Sequence, residues 1–120
     1  MDDQSNKYFE QFTREYGELT EETLIFRMNQ CNVILAELSN SQAWKILIDD
    51  SNQIVKYLDD NWQHMETNTE VFMKSRVTKM AHKTILDIPK DYLRELTMIE
   101  EKLKEIQNPG HNIEKDADNN

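Results

Sequence analysis

Residues 67–106 read TNTEVFMKSRVTKMAHKTILDIPKDYLRELTMIEEKLKEI, and this stretch predicts two helices joined by a sharp corner. Thr67 followed by Glu70 has the spacing of a capping box, which satisfies unpaired amide groups at the start of a helix. Pro89 has no amide proton and disfavours helical geometry at the preceding residue, so we expect one helix to end near Asp87 and the next to begin at Pro89. We therefore interpret the stretch as a helical hairpin on which the rest of the chain packs.

The composition of the 120 residues predicts an all-α protein of one domain. Only two glycines and two prolines occur, whereas a sheet protein of this length would need more turn residues. The net charge of −9 argues against a protein that coats nucleic acid, because lysine and arginine dominate phosphate binding. Cys31 is the single cysteine and lies among apolar residues, so we interpret it as a small buried residue of a reducing compartment.

Apolar residues recur at helical spacing along most of the chain, which predicts an elongated antiparallel bundle of three to four main helices. Thr20 and Ser39 are the predicted N-caps of the first two main helices. In the third, the predicted core face consists of Met73, Val77, Met80, Ala81, Ile85 and Ile88. The expected bounds of the main helices are 20–38, 41–66, 68–87 and 89–107.

The chain is predicted to have three parts. Residues 1–18 form an N-terminal aromatic segment, residues 19–107 form the helical bundle, and residues 108–120 form a disordered acidic tail. The tail begins with Asn108-Pro109-Gly110, which ends the last helix, and the residues after it are almost entirely polar.

The aromatic segment is expected to form a short helix whose aromatic side chains share one face. Two interpretations of this face remain open. It packs on the bundle, or it binds another chain, since exposed aromatic side chains are typical interface anchors. The candidate partner-binding residues are Tyr8, Phe9, Phe12 and Tyr16.

A basic run without any acid between Glu70 and Asp87 is the main local departure from the acidic composition. Three interpretations remain: a solvated face answering acids on neighbouring helices, a patch that docks a protein, and a stripe that contacts phosphate. The candidate residues for contact with phosphate or with an acidic partner are Lys74, Arg76, Lys79 and Lys83.

No motif of the sequence predicts a catalytic centre, and we expect no metal and no cofactor. Asp60 and His64 are one helical turn apart, but the paired Glu-x-x-His motifs of di-iron bundles are absent. Cys31 lies in an apolar register, whereas a reactive thiolate needs polar, electropositive surroundings. Asp59 and Asp60 are consecutive residues that point to different helix faces, so they do not form an acid/base couple. We predict a protein that is not an enzyme.

The order of three segments resembles that of short helical proteins encoded among the head and packaging genes of tailed bacteriophages. These segments are SQAWKIL at 41–47, FMKSR at 72–76 and ILDIP at 85–89. The resemblance implies a virion, neck or packaging accessory protein, and it transfers no functional residue. Those proteins often carry a glycine after the lysine of the basic helix, where this chain has Ser75 after Lys74.

We therefore predict a non-enzymatic assembly or adaptor protein, a phage-type virion structural or head-neck component that acts through contacts between helix faces. Protein partners are expected, either as a homo-oligomer or in a larger assembly. The isolated chain should leave an apolar surface uncovered, because its helices carry more apolar faces than a small bundle turns inward.

Two alternatives come from other classes. One is a DNA-packaging or nucleic-acid-binding accessory that uses the basic stripe, and the other is a helical metal-dependent nucleotide hydrolase that uses Asp59 and Asp60. No segment has the length of a membrane span or the features of a secretory signal. We expect a cytoplasmic location without membrane contact, or incorporation into a virion.

Overall fold

The computed structural model describes residues 3–65 and 69–108, and within these ranges all regular structure is α-helical. The prediction of an all-α helical bundle is therefore confirmed. The predicted tail 108–120, apart from Asn108, and the predicted cap at Thr67 lie outside the described residues. The described residues form four helices, α1 (Asp3–Tyr16), α2 (Glu21–Asn40), α3 (Gln42–Met65) and α4 (Thr69–Gln107).

The helices form two compact units. The first unit comprises the described residues up to Val33 together with those from Leu93 onward, and it therefore contains α1, the first part of α2 and the last part of α4. The second unit comprises the described residues of Ile34–Tyr92, which are the end of α2, the whole of α3 and the first part of α4.

The first unit has a closed apolar core. Leu24 of α2 and Ile99 of α4 are fully buried against the aromatic side chains of α1. Here α2 and α4 run antiparallel, since Arg27 contacts Glu95 while Glu21, further back along α2, contacts Gln107. Apolar side chains of α2 and of the end of α4 thus form this core together with α1. The central cluster consists of Phe9, Phe12, Leu24, Ile99 and Leu103.

Hydrogen bonds at the starts of α2 and α3 confirm one predicted N-cap and correct the other. The amide of Thr23 donates to the Thr20 hydroxyl at 3.1 Å, as predicted for a cap. Ser39 is not a cap, because α2 continues to Asn40 and the Ser39 hydroxyl donates to a carbonyl within that helix. Ser41 caps α3 instead and accepts from the amide of Trp44 at 3.0 Å. Ser41 offers the same chemistry as Ser39, and α2 runs two residues beyond its predicted end at residue 38.

The predicted corner at Pro89 is wrong, because α4 passes through Pro89 without ending. A proline inside a helix removes one backbone hydrogen bond and costs about 3 kcal/mol. The apolar stripe nevertheless keeps one helical period across the proline, with Ile85 and Ile88 before it and Tyr92 and Leu96 after it, all at least half-buried. Packing of this uninterrupted face offsets the loss of the hydrogen bond, and the helix stays whole.

The second unit is built on a seam between antiparallel α3 and α4. The seam residues recur at spacings of three and four, which is the period of a helix pair. They include polar residues that face each other across the seam, Ser51 with His82 and Asp59 with Lys79. The buried or half-buried side chains that keep this period are Trp44, Ile48, Ser51, Val55 and Leu58 on α3, and Phe72, Ser75, Lys79, His82 and Leu86 on α4.

The core face predicted for residues 68–87 is therefore only partly correct. Ile85 and Ile88 are half-buried, but Met73, Val77, Met80 and Ala81 are exposed. The prediction followed the most apolar side of the helix. In the structure α4 turns its opposite side toward α3, where Phe72 and Leu86 are half-buried and where Lys79 and His82 contact Asp59 and Ser51.

Replacing Gly17 by alanine should lower the free energy of unfolding by about 1–2 kcal/mol, since Gly17 has a left-handed backbone conformation with φ at 95°. Its amide donates to the Thr13 carbonyl at 3.1 Å and so ends α1. A Cβ at this position would meet no atom within 4 Å, so backbone strain is the only expected cost. Urea unfolding of Gly17→Ala and of Gly17→Asn measures it. Asparagine, which tolerates this conformation better, should lose less, and equal losses would contradict the explanation.

Candidate functional site

The aromatic residues predicted to bind a partner lie in the first unit, where two of them are core. Phe12 is 1% exposed, Phe9 is buried beside it, and Tyr8 and Tyr16 are half-buried against the same cluster. The ring centroids of Phe12 and Tyr16 are 4.9 Å apart. Of the two interpretations, packing on the bundle is what the structure shows. Phe9 and Phe12 are not an exposed docking face in this fold, because their burial completes the core.

A polar cluster, formed by Tyr8, Arg27, Cys31 and Glu95, lies at the edge of this core. The Arg27 guanidinium donates to both carboxylate oxygens of Glu95, from Nε at 2.7 Å and from Nη2 at 3.0 Å. The Tyr8 hydroxyl donates to Oε2 of the same carboxylate. The Arg27 guanidinium also lies 5.5 Å from the centroid of the Tyr16 ring, within reach of a cation–π interaction. One carboxylate thus ties α1, α2 and α4 together.

The protonation states in the polar cluster follow from burial and from these hydrogen bonds. Burial by itself raises the pKa of Glu95, but the bonds from Arg27 and Tyr8 outweigh it and hold the pKa below its usual value. Burial, and then the bond to Glu95, raise the pKa of Tyr8. Burial raises the pKa of Cys31 to about 11. At neutral pH the carboxylate and the guanidinium are charged, while the phenol and the thiol keep their protons.

The polar cluster is better suited to stabilising the fold than to catalysing a reaction. The Cys31 thiol is protonated and buried, so it lacks the thiolate character that a nucleophile needs. The adjoining cavity, lined by Tyr8, Gln11, Tyr16, Arg27 and Glu95 among others, has a volume of about 170 Å³. Ligand pockets usually measure about 300–1,000 Å³. The largely buried Arg27–Glu95 ion pair of the cluster joins α2 to α4, and the Tyr8 hydroxyl joins α1 to the same carboxylate.

A second polar contact joins Ser51 and His82 across the seam of the second unit. The Ser51 hydroxyl and Nδ1 of His82 are 2.9 Å apart, a distance also found between a serine nucleophile and its base. Ser51 is 0% exposed in the middle of α3, so a substrate has no access to its hydroxyl. The pair satisfies two polar groups inside the seam and sets the register of α3 against α4.

The four predicted basic residues do not form one site. Lys79 pairs with Asp59 across the seam, as the interpretation of a solvated face answering neighbouring acids requires. Lys74 is exposed and lies 3.7 Å from Glu70 on its own helix. Arg76 and Lys83 are exposed and make no ion pair within the part of the chain that the structure describes. Of the four, only these two have no acidic partner among the described residues.

Two exposed apolar surfaces of the second unit were not predicted as such. We name the first the α4 stripe; its members Met73, Val77 and Met80 are spaced four and three residues apart, and they are 52%, 63% and 61% exposed. We name the second the α3 face; it comprises Ile46, Leu47 and Tyr57, which are also exposed. Exposed apolar side chains at helical spacing are typical of interfaces between helices.

The described residues include no cluster of three or more histidine, cysteine, aspartate or glutamate side chains placed to hold a metal ion. The candidate ligand His64 lies outside the described side chains. None of the described helices is sufficiently long and apolar to cross a membrane. No protein-family model matches the sequence, and neither a curated protein nor a solved structure is significantly similar to it.

Proposed function

We propose that the protein is a non-enzymatic assembly or adaptor protein and that its second unit is the part that binds other protein chains. The observation behind this proposal is the uneven distribution of the core. Every fully buried apolar residue in the described part of the chain belongs to the first unit. In the described part of the second unit, Ser51 is the one fully buried side chain.

The second unit leaves large apolar side chains in water instead. Helices of this length owe most of their stability to packing of an apolar face, because intrinsic helix propensity is marginal in water. Monomeric proteins seldom expose contiguous apolar surface beyond a few hundred Å². A further chain that covers these side chains would supply the missing core. The exposed residues are Ile46, Leu47, Tyr57, Val71, Met73, Val77 and Met80.

The resemblance to helical proteins from the head and packaging genes of tailed bacteriophages supports a narrower form of the proposal. In that form the protein is a virion structural or head-neck accessory component, and its partners are other subunits of the particle. Association through helix faces is the property that the resemblance and the exposed surfaces have in common.

The triple variant Met73→Ser, Val77→Ser, Met80→Ser tests the proposal. We expect wild-type protein to bind a dye that reports apolar surface, and to occur in complexes larger than one chain when isolated from the cells that make it. The variant should lose most of both properties, because serine removes the apolar area of the α4 stripe. Light scattering after size-exclusion chromatography measures the mass of the complexes.

The matched control is Leu93→Ser, which alters an exposed apolar residue of the same helix in the first unit. It should leave the mass of the complexes unchanged. A wild-type protein that binds no such dye, and that occurs as a single chain both purified and in native extracts, would contradict the proposed function.

A further inference from the structure

The two exposed surfaces of the second unit complement each other in charge, and we propose that the α4 stripe of one copy binds the α3 face of a second copy. This inference rests on the proposed function and names the partner. The contact is heterologous, since each copy offers one surface to one neighbour and the other surface to the next.

The α4 stripe is bordered by positive charge. On a helical projection Arg76 and Lys83 lie along one border of the stripe and Lys74 along the other. Arg76 and Lys83 are exposed, and neither makes an ion pair with another described residue. Lys74 pairs with Glu70, whereas Arg76 and Lys83 have no acidic partner among the described residues, so one border of the stripe keeps an excess of positive charge although the chain as a whole has a net charge of −9.

The α3 face carries the opposite charge. Asp49, Asp50 and Asp60 are exposed on the same side of α3 as Ile46 and Tyr57, and no described residue forms an ion pair with them. Two lysines, Lys45 and Lys56, border this side but leave acids in excess. Ile46 and Tyr57 are 11 residues apart, or about 16 Å along the helix. That length accommodates the α4 stripe, which spans about 10 Å from Met73 to Met80.

Charge decides which surfaces pair. An antiparallel pair of α4 stripes would bring Arg76 and Lys83 against the same residues of the second copy, and a parallel pair would bring them against Lys74 on its other border. Two α3 faces would likewise oppose aspartates to aspartates. Like charges across an interface suppress the wrong pairing, and opposite charges favour the right one. The apolar residues supply most of the affinity, because individual surface ion pairs contribute little.

A heterologous contact has a structural consequence. If the rotation between neighbouring copies closes, the copies form a ring, and if it does not close, they form a filament. Both outcomes give an assembly of more than two chains, with one free surface of each kind at the ends of an open chain.

Complementary charge reversal tests the proposal on the full-length protein. One variant carries Arg76→Glu and Lys83→Glu, and the other carries Asp49→Lys and Asp50→Lys. Sedimentation velocity at low salt should show wild-type species that grow with concentration. Each variant alone should associate roughly tenfold more weakly or worse, because both of its surfaces then have the same sign. An equimolar mixture should regain association, since each altered surface finds its complement on the other variant.

The control variant Lys7→Glu, Arg14→Glu changes the net charge by the same amount as Arg76→Glu, Lys83→Glu, but at exposed positions of α1. It should associate like wild type. Circular dichroism checks that all variants remain helical. Recovery of association in the mixture distinguishes a specific contact between the α4 stripe and the α3 face from general charge repulsion, which mixing would not reverse.

Three results would overturn the inference. The first is a mixture that stays as weakly associated as its components. The second is a purified wild-type protein that remains a single chain, although in native extracts it occurs in a larger complex that the α4 stripe serine variant does not form. The proposed function would then survive with another protein as partner. The third is salt-dependent binding of double-stranded DNA lost in Arg76→Glu, Lys83→Glu without any self-association, which would assign the basic border to nucleic acid.

Discussion

Phe12→Ala is expected to lower the free energy of unfolding by about 3–5 kcal/mol, the range found when a buried phenylalanine is truncated to alanine. Phe12 is 1% exposed and packs with Phe9, Leu24 and Ile99 in the central cluster of the first unit. Small domains have a total stability of only about 5–15 kcal/mol, so this variant is expected to unfold well below the wild-type temperature. Urea unfolding followed by circular dichroism measures the loss.

Phe26→Ala is the matched control, because Phe26 is 59% exposed on α2. It should change the free energy of unfolding by no more than about 0.5 kcal/mol. If Phe12→Ala were equally mild, α1 would not be part of the core. The aromatic segment would then be available to another chain, as the alternative interpretation of Tyr8, Phe9, Phe12 and Tyr16 requires.

Glu95→Ala is expected to lower the free energy of unfolding by about 3 kcal/mol, because it leaves the Arg27 charge without its partner. The side chains of Arg27 and Glu95 are only 16% and 14% exposed, so water cannot fully replace the carboxylate. The Tyr8 hydroxyl loses its acceptor as well. Thermal unfolding and urea unfolding should both show the loss. The double variant Arg27→Met, Glu95→Met should lie closer to wild type, since it removes both charges and restores apolar packing.

The same carboxylate should make stability depend on pH. In the folded protein the pKa of Glu95 lies below its value in the unfolded chain, which is about 4.3 in model peptides. The resulting stabilisation is therefore fully present above the unfolded pKa and disappears as the pH falls through the folded pKa. Glu95→Gln should lack this contribution, and its stability should fall less than that of wild type between neutral and acid pH. Parallel pH profiles for the two proteins would show that Glu95 is not the group responsible.

The helical class could be predicted from the sequence because apolar periodicity is a local property. Leu24, Met28, Cys31, Leu35 and Leu38 recur along α2 at spacings of four and three residues, and all five are at least half-buried. The cap at Thr20 could be predicted for the same reason, since it involves residues only three positions apart. Pro89 misled the prediction because its local cost was weighed without the continuous stripe from Ile85 to Leu96, whose packing depends on other helices.

The polar contacts were missed for a related reason. Arg27 and Glu95 lie within the apolar registers of α2 and α4, and that placement was a signal that each has an inward partner. The sequence does not reveal that one partner is the other, because the two residues are 68 positions apart. The orientation of α4 in the second unit was missed likewise. Lys79 and His82 face α3 in place of Met73 and Val77, and this depends on their partners Asp59 and Ser51 in that other helix.

The most direct test of the central claim, that the second unit obtains its missing core from another chain, is amide hydrogen exchange at several protein concentrations. Local opening is easiest where few apolar contacts hold a segment, so a dilute single chain should exchange quickly in α3 and in α4 from Thr69 to Tyr92. Association should slow exchange in these segments and leave α1 and the end of α4 unchanged. Equal, concentration-independent protection of both units in a single chain would contradict the account.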